Sequence, residues 1–281
     1  MDVSRSWHPA GRWTELPRFG RVHHVSLGSG PAVVLLHGFL QSSWAWRCNL
    51  DALADQYTVH ALCVPGFGWS DKPRGAGYRL VTQAERVLAL CDVLGVGLAH
   101  WVGNSLGAAL ALQIAWLAPE RADRLVLVNP AGRDLGVFNF ALAVQHAAWE
   151  PLLAVPGVKL ALELGLRHIA YADLARDRAF VRLFLAPLDT PGARHVALVV
   201  AQHFGRDLRA LEPRLPEIRP PALVLWGEGD GIVPHRTAAR TAALLPNGRL
   251  EPFDCSAHCP MEEEPRRFNR EVLAFLGGGD P

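Results

Sequence analysis

The chain has 281 residues, half of them apolar, and its 28 basic and 27 acidic side chains leave a formal net charge of +1. This length and composition permit one large α/β domain with an insertion and do not require a second independent domain. The near-neutral charge gives no electrostatic reason to expect a polyanionic partner, so we do not expect nucleic-acid binding.

Apolar runs of strand length alternate with helical stretches along the chain. Residues 12–28 predict an antiparallel entry, and a first central strand follows at 32–36. Residues 46–55 predict a helix, and residues 57–64 the next strand. This alternation is typical of a mostly parallel sheet that is covered by helices on both faces.

The segment Gly-Asn-Ser-Leu-Gly at 103–107 stands between an apolar run at 98–102 and a helix-forming run at 108–115. A serine at such a junction is typical of a catalytic serine elbow, because bulky side chains beside the serine would collide with the sharp turn. Its hydroxyl would lie at a helix N-terminus, where developing negative charge is stabilised. Taken alone, the pattern also fits a glycine-rich turn whose serine merely caps the helix.

The character of the sequence changes after the next predicted strand, which spans 124–128. Residues 131–215 show no strand-like alternation and are rich in Ala, Leu, Val and aromatic residues. Apolar residues recur at helical spacing over 158–169 and 193–204. Strand patterns return only at 223–227 and 249–253.

Four motifs occur in the order used by the α/β-hydrolase family, which this chain resembles over nearly its whole length outside the helical insertion. They are His-Gly-Phe-Leu at 37–40, the serine elbow, Trp-Gly-Glu-Gly-Asp at 226–230 and Cys-Ser-Ala-His at 255–258.

The resemblance implies the α/β-hydrolase fold, with a mostly parallel sheet of the eight-stranded type flanked by helices. The core would be formed by residues 1–130 and 216–281. Residues 131–215 would form a helical cap, or lid, over the serine, with some of its apolar residues lining the pocket.

The resemblance also assigns a catalytic triad of Ser105, Asp230 and His258. A serine hydroxyl is a weak nucleophile near neutral pH, so a histidine must take its proton and later donate it to the leaving group. A carboxylate must fix the tautomer of that histidine. Asp230 is preferred to Glu228, since the acid of the family lies four residues after the tryptophan of its Trp-Gly pair.

Two backbone N–H groups, of Phe39 and Leu106, are expected to form the oxyanion hole. His37 is interpreted as a structural support for the oxyanion loop. Asn104 and Gln41 are placed to shape the same pocket.

The cysteines suggest neither disulfides nor a metal site. The chain has five cysteines: Cys48, Cys63, Cys91, Cys255 and Cys259. Because their number is odd and they are scattered through predicted strands, helices and loops, they indicate a reducing compartment. Cys255, His258 and Cys259 would offer zinc three ligands with no matching fourth. No phosphate loop or dinucleotide fingerprint implies a cofactor. Without a signal-peptide pattern or an apolar run of membrane-spanning length, we expect a soluble cytoplasmic protein.

The expected function is hydrolysis of a carboxylic ester with a small or medium apolar acyl group, because the predicted cap is aliphatic. The alternatives are a carbon-carbon bond hydrolase of ring-cleavage products, since Gly-Asn-Ser is common in that subgroup, a cofactor-free perhydrolase, and a receptor that binds ligand without turnover. Carbon-carbon hydrolases usually carry a more glycine-rich loop at 37–40. Three basic residues of the predicted cap could bind a substrate carboxylate, but their pattern is more typical of a solvent-exposed helix face. They are Arg167, His168 and Arg194. The sequence is compatible with two oligomeric states, a monomer and a homodimer.

Overall fold

The computed structural model describes residues 7–134, 170–171 and 178–278. The strands of these ranges are β1 (Gly11–Leu16), β2 (Gly20–Gly28), β3 (Ala32–Leu36), β4 (Thr58–Leu62), β5 (Ala99–Asn104), β6 (Ala122–Val128), β7 (Ala222–Gly227) and β8 (Gly248–Phe253). Their α-helices are α1 (Leu50–Ala54), α2 (Leu80–Val93), α3 (Leu106–Leu117), α4 (Arg178–Leu185), α5 (Ala193–Leu211), α6 (His235–Leu244), α7 (Pro260–Glu263) and α8 (Pro265–Leu276).

The strands form one eight-stranded sheet in the order β1-β2-β4-β3-β5-β6-β7-β8. β2 pairs antiparallel with both β1 and β4, whereas β3 to β8 all run in the same direction. The predicted antiparallel entry and the mostly parallel sheet are therefore confirmed. Because parallel strands end at one edge of the sheet, the loops after β3, β5, β7 and β8 meet there.

Both faces of the central strands are buried, which explains their continuous apolar runs. In β3, Val34 and Leu36 pack into the core on one face, while Val33 and Leu35 pack into the core on the other. This split follows from the two-residue period of a strand.

Helices from both ends of the chain cover the two faces. On the first face lie α2, α3 and α5, and α3 is buried at every position from Leu106 to Ala115. On the second face lie α1 and α8. In α5, Val196, Val200 and Phe204 recur every four residues and pack onto the first face, so one side of this helix is apolar.

The chain between β6 and β7 forms helices and no strand over its described residues. The helix predicted at 193–204 is confirmed as the first part of α5. The helical pattern predicted at 158–169 lies outside the described residues, and the division into a core and a cap at 131–215 stays a prediction. No helix of the described residues is long and apolar enough to cross a membrane.

The helix predicted at 46–55 is confirmed only in its second half. A 3-10 turn at Ser43–Trp46 is followed by a separate α1 that begins only at Leu50. Asn49 stands at the break with φ −120°. Its side-chain amide donates to the carbonyl of Met261 (3.0 Å) and to Oδ1 of Asn269 (2.8 Å), so contacts with the C-terminal part of the chain fix the break.

Candidate active site

The serine elbow joins β5 to α3. Ser105 lies between them with φ 53° and ψ −109°, a conformation that is strained for a residue other than glycine. A Cβ atom on Gly107 would lie 2.0 Å from the carbonyl oxygen of Leu36, and one on Gly103 would lie 2.3 Å from the backbone of Gly107. Only glycine therefore fits at either position.

Asp230 and His258 form a buried pair at the same edge of the sheet. Oδ2 of Asp230 lies 2.8 Å from Nδ1 of His258, and their side chains are 0% and 8% exposed. Since an ionised carboxylate only accepts hydrogen bonds, Nδ1 is the donor in this contact, and in the neutral ring Nε2 then keeps a lone pair.

The carboxylate of Asp230 is held by its surroundings in the ionised form. Burial alone would raise its pKa, but the electrostatic interaction and the hydrogen bond with His258 bring the pKa below the usual range. The backbone N–H groups of Ile232 (2.7 Å) and Val233 (3.0 Å) also donate to Oδ1 and act in the same direction. The other candidate acid, Glu228, is exposed.

Asn129 is a neighbour of this pair that the sequence does not reveal. Its backbone has φ 43° at the carboxyl end of β6. Its Nδ2 donates to Oδ2 of Asp230 (2.5 Å), and its Oδ1 accepts from the N–H of Gly227 (3.2 Å). The sequence signal is a polar residue directly after a buried strand, a pattern that is also found where a strand simply ends.

The backbone of His258 is bonded to the residue before the serine. Nδ2 of Asn104 donates to the carbonyl oxygen of His258 at 3.0 Å. The N–H of Ser105 donates to the carbonyl oxygen of Val128 at 2.9 Å, one residue before Asn129. The structure thus brings the chain at Ser105, Asp230 and His258 together at the carboxyl edge of the sheet.

Two glutamates hold the histidine loop, residues 254–259. Oε1 of Glu263 accepts from the N–H groups of Ala257 (3.0 Å) and Cys259 (3.2 Å), on either side of His258. Oε1 of Glu264 accepts from the hydroxyl of Ser256 at 2.6 Å. The sequence does not reveal either role, although three consecutive glutamates stand at 262–264, shortly after the loop.

The oxyanion loop, residues 37–42, is built on His37. Nε2 of this buried ring accepts from the N–H of Val64 (3.0 Å), so Nδ1 carries the proton and donates to the carbonyl of Gly38 (2.7 Å). Burial lowers the pKa of His37 to about 4, which keeps the ring neutral. This is the supporting role predicted for His37.

The two predicted oxyanion residues lie on neighbouring elements. Phe39 belongs to the oxyanion loop, directly after β3. Leu106 begins α3, so its N–H has no acceptor within the helix. Gln41 turns back into the loop, where its Oε1 accepts from the N–H of Gly38 at 2.7 Å.

The cysteines near the histidine have different surroundings. Cys255 is exposed and Cys259 is buried. Over the described residues, no group of three His, Cys, Asp or Glu side chains is arranged to hold a metal ion. Arg194 lies half-buried in α5, whereas Arg167 and His168 lie outside the described residues.

Comparison with known proteins agrees with this architecture. Residues 31–159 match the family described as the alpha/beta hydrolase fold. A 2-hydroxy-6-oxononadienedioate/2-hydroxy-6-oxononatrienedioate hydrolase of Burkholderia vietnamiensis is 32% identical over 279 residues, which cover 91% of each chain.

Two solved structures share the fold. A serine-to-alanine mutant of the meta-cleavage product hydrolase from Pseudomonas fluorescens superposes with a TM-score of 0.79 at 25% identity, over 92% of this chain and 94% of that one. A thermophilic esterase from Thermogutta terrifontis gives a TM-score of 0.79 at 22% identity, over 95% and 98%. The sheet order, the matched family and the 32% identical relative together show that this chain belongs to the α/β-hydrolase family.

Proposed function

We propose that this chain is a serine hydrolase that cleaves carboxylic esters with a small or medium apolar acyl group through an acyl-enzyme. The observation that carries the proposal is the buried Asp230–His258 pair, whose histidine backbone is bonded to the residue before the strained Ser105. A neutral imidazole with its proton fixed on Nδ1 is the form that accepts a proton at Nε2.

The proposed reaction proceeds in two steps. Oγ of Ser105 attacks the ester carbonyl while Nε2 of His258 takes the hydroxyl proton, and the imidazolium then donates that proton to the departing alcohol. A water molecule, activated by the same histidine, hydrolyses the acyl-enzyme and releases the acid. Asp230 stays ionised throughout and stabilises the imidazolium.

Negative charge develops on the carbonyl oxygen in both steps. We assign the N–H groups of Phe39 and Leu106 as its donors, since one follows β3 and the other begins the helix after the serine. Each such donor contributes about two to three orders of magnitude in rate.

The side chains beside these donors favour an apolar acyl group. The rings of Phe39 and Phe67 contact edge-to-face at 5.9 Å. One small void brings α5 against the residue after the serine, and its lining is mostly apolar with two polar side chains: Phe67, Tyr78, Leu80, Gln83, Leu106, Val200, Phe204 and Asp207. Such a surface binds alkyl groups through the hydrophobic effect.

Hydrolysis of a carbon-carbon bond in ring-cleavage products is the second candidate, favoured by the Burkholderia relative and its named substrates. Those substrates are dicarboxylates, which call for cationic partners. Two of the basic side chains in the described loops after β3 and β4 are already engaged. Arg47 pairs with Glu262, and Nζ of Lys72 donates to the carbonyls of Gly68 (2.8 Å) and Ser70 (2.7 Å). This supports the ester as the primary substrate.

The test is hydrolysis of p-nitrophenyl esters of increasing chain length by the wild type, Ser105→Ala and Ser29→Ala, with one dienone ring-cleavage product measured in parallel. Ser29 is exposed in the turn before β3 and serves as the matched control. We expect turnover with an optimum at short or medium chains, lost in Ser105→Ala and kept in Ser29→Ala.

Turnover of the dienone with poor ester cleavage would move the assignment to carbon-carbon hydrolysis. Equal activity of Ser105→Ala and the wild type would contradict the nucleophile assignment. Absence of turnover on both substrates, together with failure of a fluorophosphonate to label Ser105, would contradict the proposal of a serine hydrolase.

A further inference from the structure

A buried charged group lies beside the histidine loop and has no role in the chemistry proposed above. The side chain of Glu262, in α7, is 0% exposed. Its Oε1 accepts from the guanidinium of Arg47, and its Oε2 accepts from the hydroxyl of Tyr171 at 2.5 Å. Burying an ion pair is costly and is weak evidence for added stability, so its presence points to positioning.

Aromatic rings enclose this pair. The guanidinium carbon of Arg47 lies 3.7 Å from the ring centroid of Trp44 and 5.3 Å from that of Phe180. The ring of Tyr171 contacts Phe180 at 5.0 Å and Phe184 at 6.1 Å, both edge-to-face. Water is therefore kept away from the hydrogen bond between Tyr171 and Glu262, which holds Tyr171 in one place.

Tyr171 is adjacent in sequence to a residue that contacts the proposed base. The carbonyl oxygen of Ala170 accepts from the N–H of His258 at 3.0 Å. On its other side, the carbonyl oxygen of His258 accepts from Nδ2 of Asn104. The backbone of the histidine is thus held between the serine elbow and the segment at 170–171.

Cys259 connects the pair of Tyr171 and Glu262 to the oxyanion loop. Cys259, next to His258, is buried beside Tyr171 and Glu262. Its Sγ accepts from Nε2 of Gln41 at 3.5 Å, and Oε1 of Gln41 accepts from the N–H of Gly38.

We propose that Tyr171 and Glu262 are positioning residues, which hold the carbonyl of Ala170 on the N–H of His258 and thereby keep the imidazole in reach of Ser105. This inference rests on the proposed role of His258 as the base. A displacement of about 1 Å in a catalytic group lowers the rate by roughly a hundredfold, so one hydrogen bond between side chains can matter this much.

The test is Tyr171→Phe, which keeps the ring against Phe180 and Phe184 and removes only the hydrogen bonds of the hydroxyl, with Glu262 and with Cys259. Tyr57→Phe is the matched control, because Tyr57 is also buried but lies just before the amino-terminal end of β4, whereas the proposed site lies at the carboxyl ends of the strands. Each variant is measured for kcat and KM on the best ester, for the rate of fluorophosphonate labelling of Ser105, and for Tm.

We expect Tyr171→Phe to lower kcat and the labelling rate by about ten- to a hundredfold, with KM changed less than about threefold. Tyr57→Phe should leave kcat, KM and the labelling rate at wild-type values, and the two variants should have similar Tm. A variant Glu262→Gln, which keeps an acceptor for Tyr171, should retain more activity than Glu262→Leu.

Equal kcat and labelling rates in Tyr171→Phe and Tyr57→Phe would overturn the inference while ester hydrolysis stands. A rise in KM alone would also overturn it, because the segment would then shape the substrate pocket and not the base. If the wild type is labelled but cleaves no ester, the proposed substrate class fails, and the labelling rates still decide the inference.

Discussion

Asp230 is the acceptor in four hydrogen bonds, from His258, Asn129, Ile232 and Val233. Asp230→Asn preserves the volume of the side chain but allows its amide to donate to Nδ1, which favours the wrong imidazole tautomer. We expect kcat to fall by about 10⁴ with the fold intact. Steady-state kinetics on the preferred ester, with circular dichroism as a check of folding, would measure this.

Glu228→Gln is the control for that substitution, since Glu228 is two residues away and exposed. It should leave kcat unchanged. A loss of activity in Glu228→Gln comparable with that in Asp230→Asn would show that the acid has been misassigned.

Gly107 is the most sterically confined position of the elbow. A Cβ there would lie 2.0 Å from a backbone oxygen of β3, and no change of rotamer relieves a clash with backbone. We expect Gly107→Ala to lower the free energy of unfolding by more than about 3 kcal/mol and to abolish activity. Gly97→Ala, at an exposed site with no atom within 4 Å of the added Cβ, should keep both. Urea denaturation of the two variants would reveal an error if their midpoints agree.

At the scale of elements, the sequence predicts strands better than the contacts between distant segments. The run at 32–36 coincides with β3 because continuous burial on both faces leaves a purely local pattern. The helix expected at 46–55 begins only at Leu50, because Asn49 bonds to residues more than 200 positions away.

The same contrast between local patterns and distant contacts holds for the proposed site. The order and spacing of the motifs suffice to nominate Ser105, Asp230 and His258. The partners of this site were missed because an asparagine or a run of glutamates has the same pattern on a solvated surface as in a buried network. Asn129 and Glu262 become recognisable only when the sheet brings distant loops together.

Asp207 couples two helices and allows a test at this scale. From α5, its Oδ2 accepts from the N–H of Leu80 (2.8 Å) at the start of α2, and its Oδ1 accepts from Nε of Arg79 (2.6 Å). Asp207→Ala removes a helix-capping carboxylate and leaves a buried N–H unpaired, so we expect a loss of about 1–2 kcal/mol in the free energy of unfolding. Glu217→Gln keeps an acceptor for the indole N–H of Trp116 and weakens only an exposed pair with Arg214, so it should change the urea midpoint much less. Equal midpoints for the two variants would contradict the coupling.

For the molecule as a whole, several histidines are buried in the neutral form. Burial lowers the pKa of His23, His24 and His37 to about 4, and it lowers the pKa of His60 and His100 as well. His24 and His60 are joined through Ser26, with 2.9 Å from each ring nitrogen to its hydroxyl. Protonating these rings would break that chain of hydrogen bonds inside the sheet.

These pKa values predict that the protein is destabilised by mild acid. Between the unfolded pKa of 6.5 and the folded pKa of about 4, the unfolded chain binds more protons, so stability falls as the pH falls through this window. Each such histidine contributes about 1.4 kcal/mol per pH unit at most, so the three together contribute up to about 4 kcal/mol per pH unit. Burial raises the pKa of Glu262, so protonation of this side chain increases the stability of the folded protein as the pH falls. This opposes the effect of the histidines but involves a single proton.

Urea midpoints measured at pH 7, 6 and 5 should therefore decrease steadily, well before the ordinary carboxylates titrate. His24→Gln removes one of the titrating rings and should flatten this decrease relative to the wild type, whatever its effect on the midpoint at pH 7. A midpoint that stays constant from pH 7 to 5 would mean that the rings are protonated in the folded protein as readily as in the unfolded chain. In that case burial in the sheet would not be what keeps them neutral.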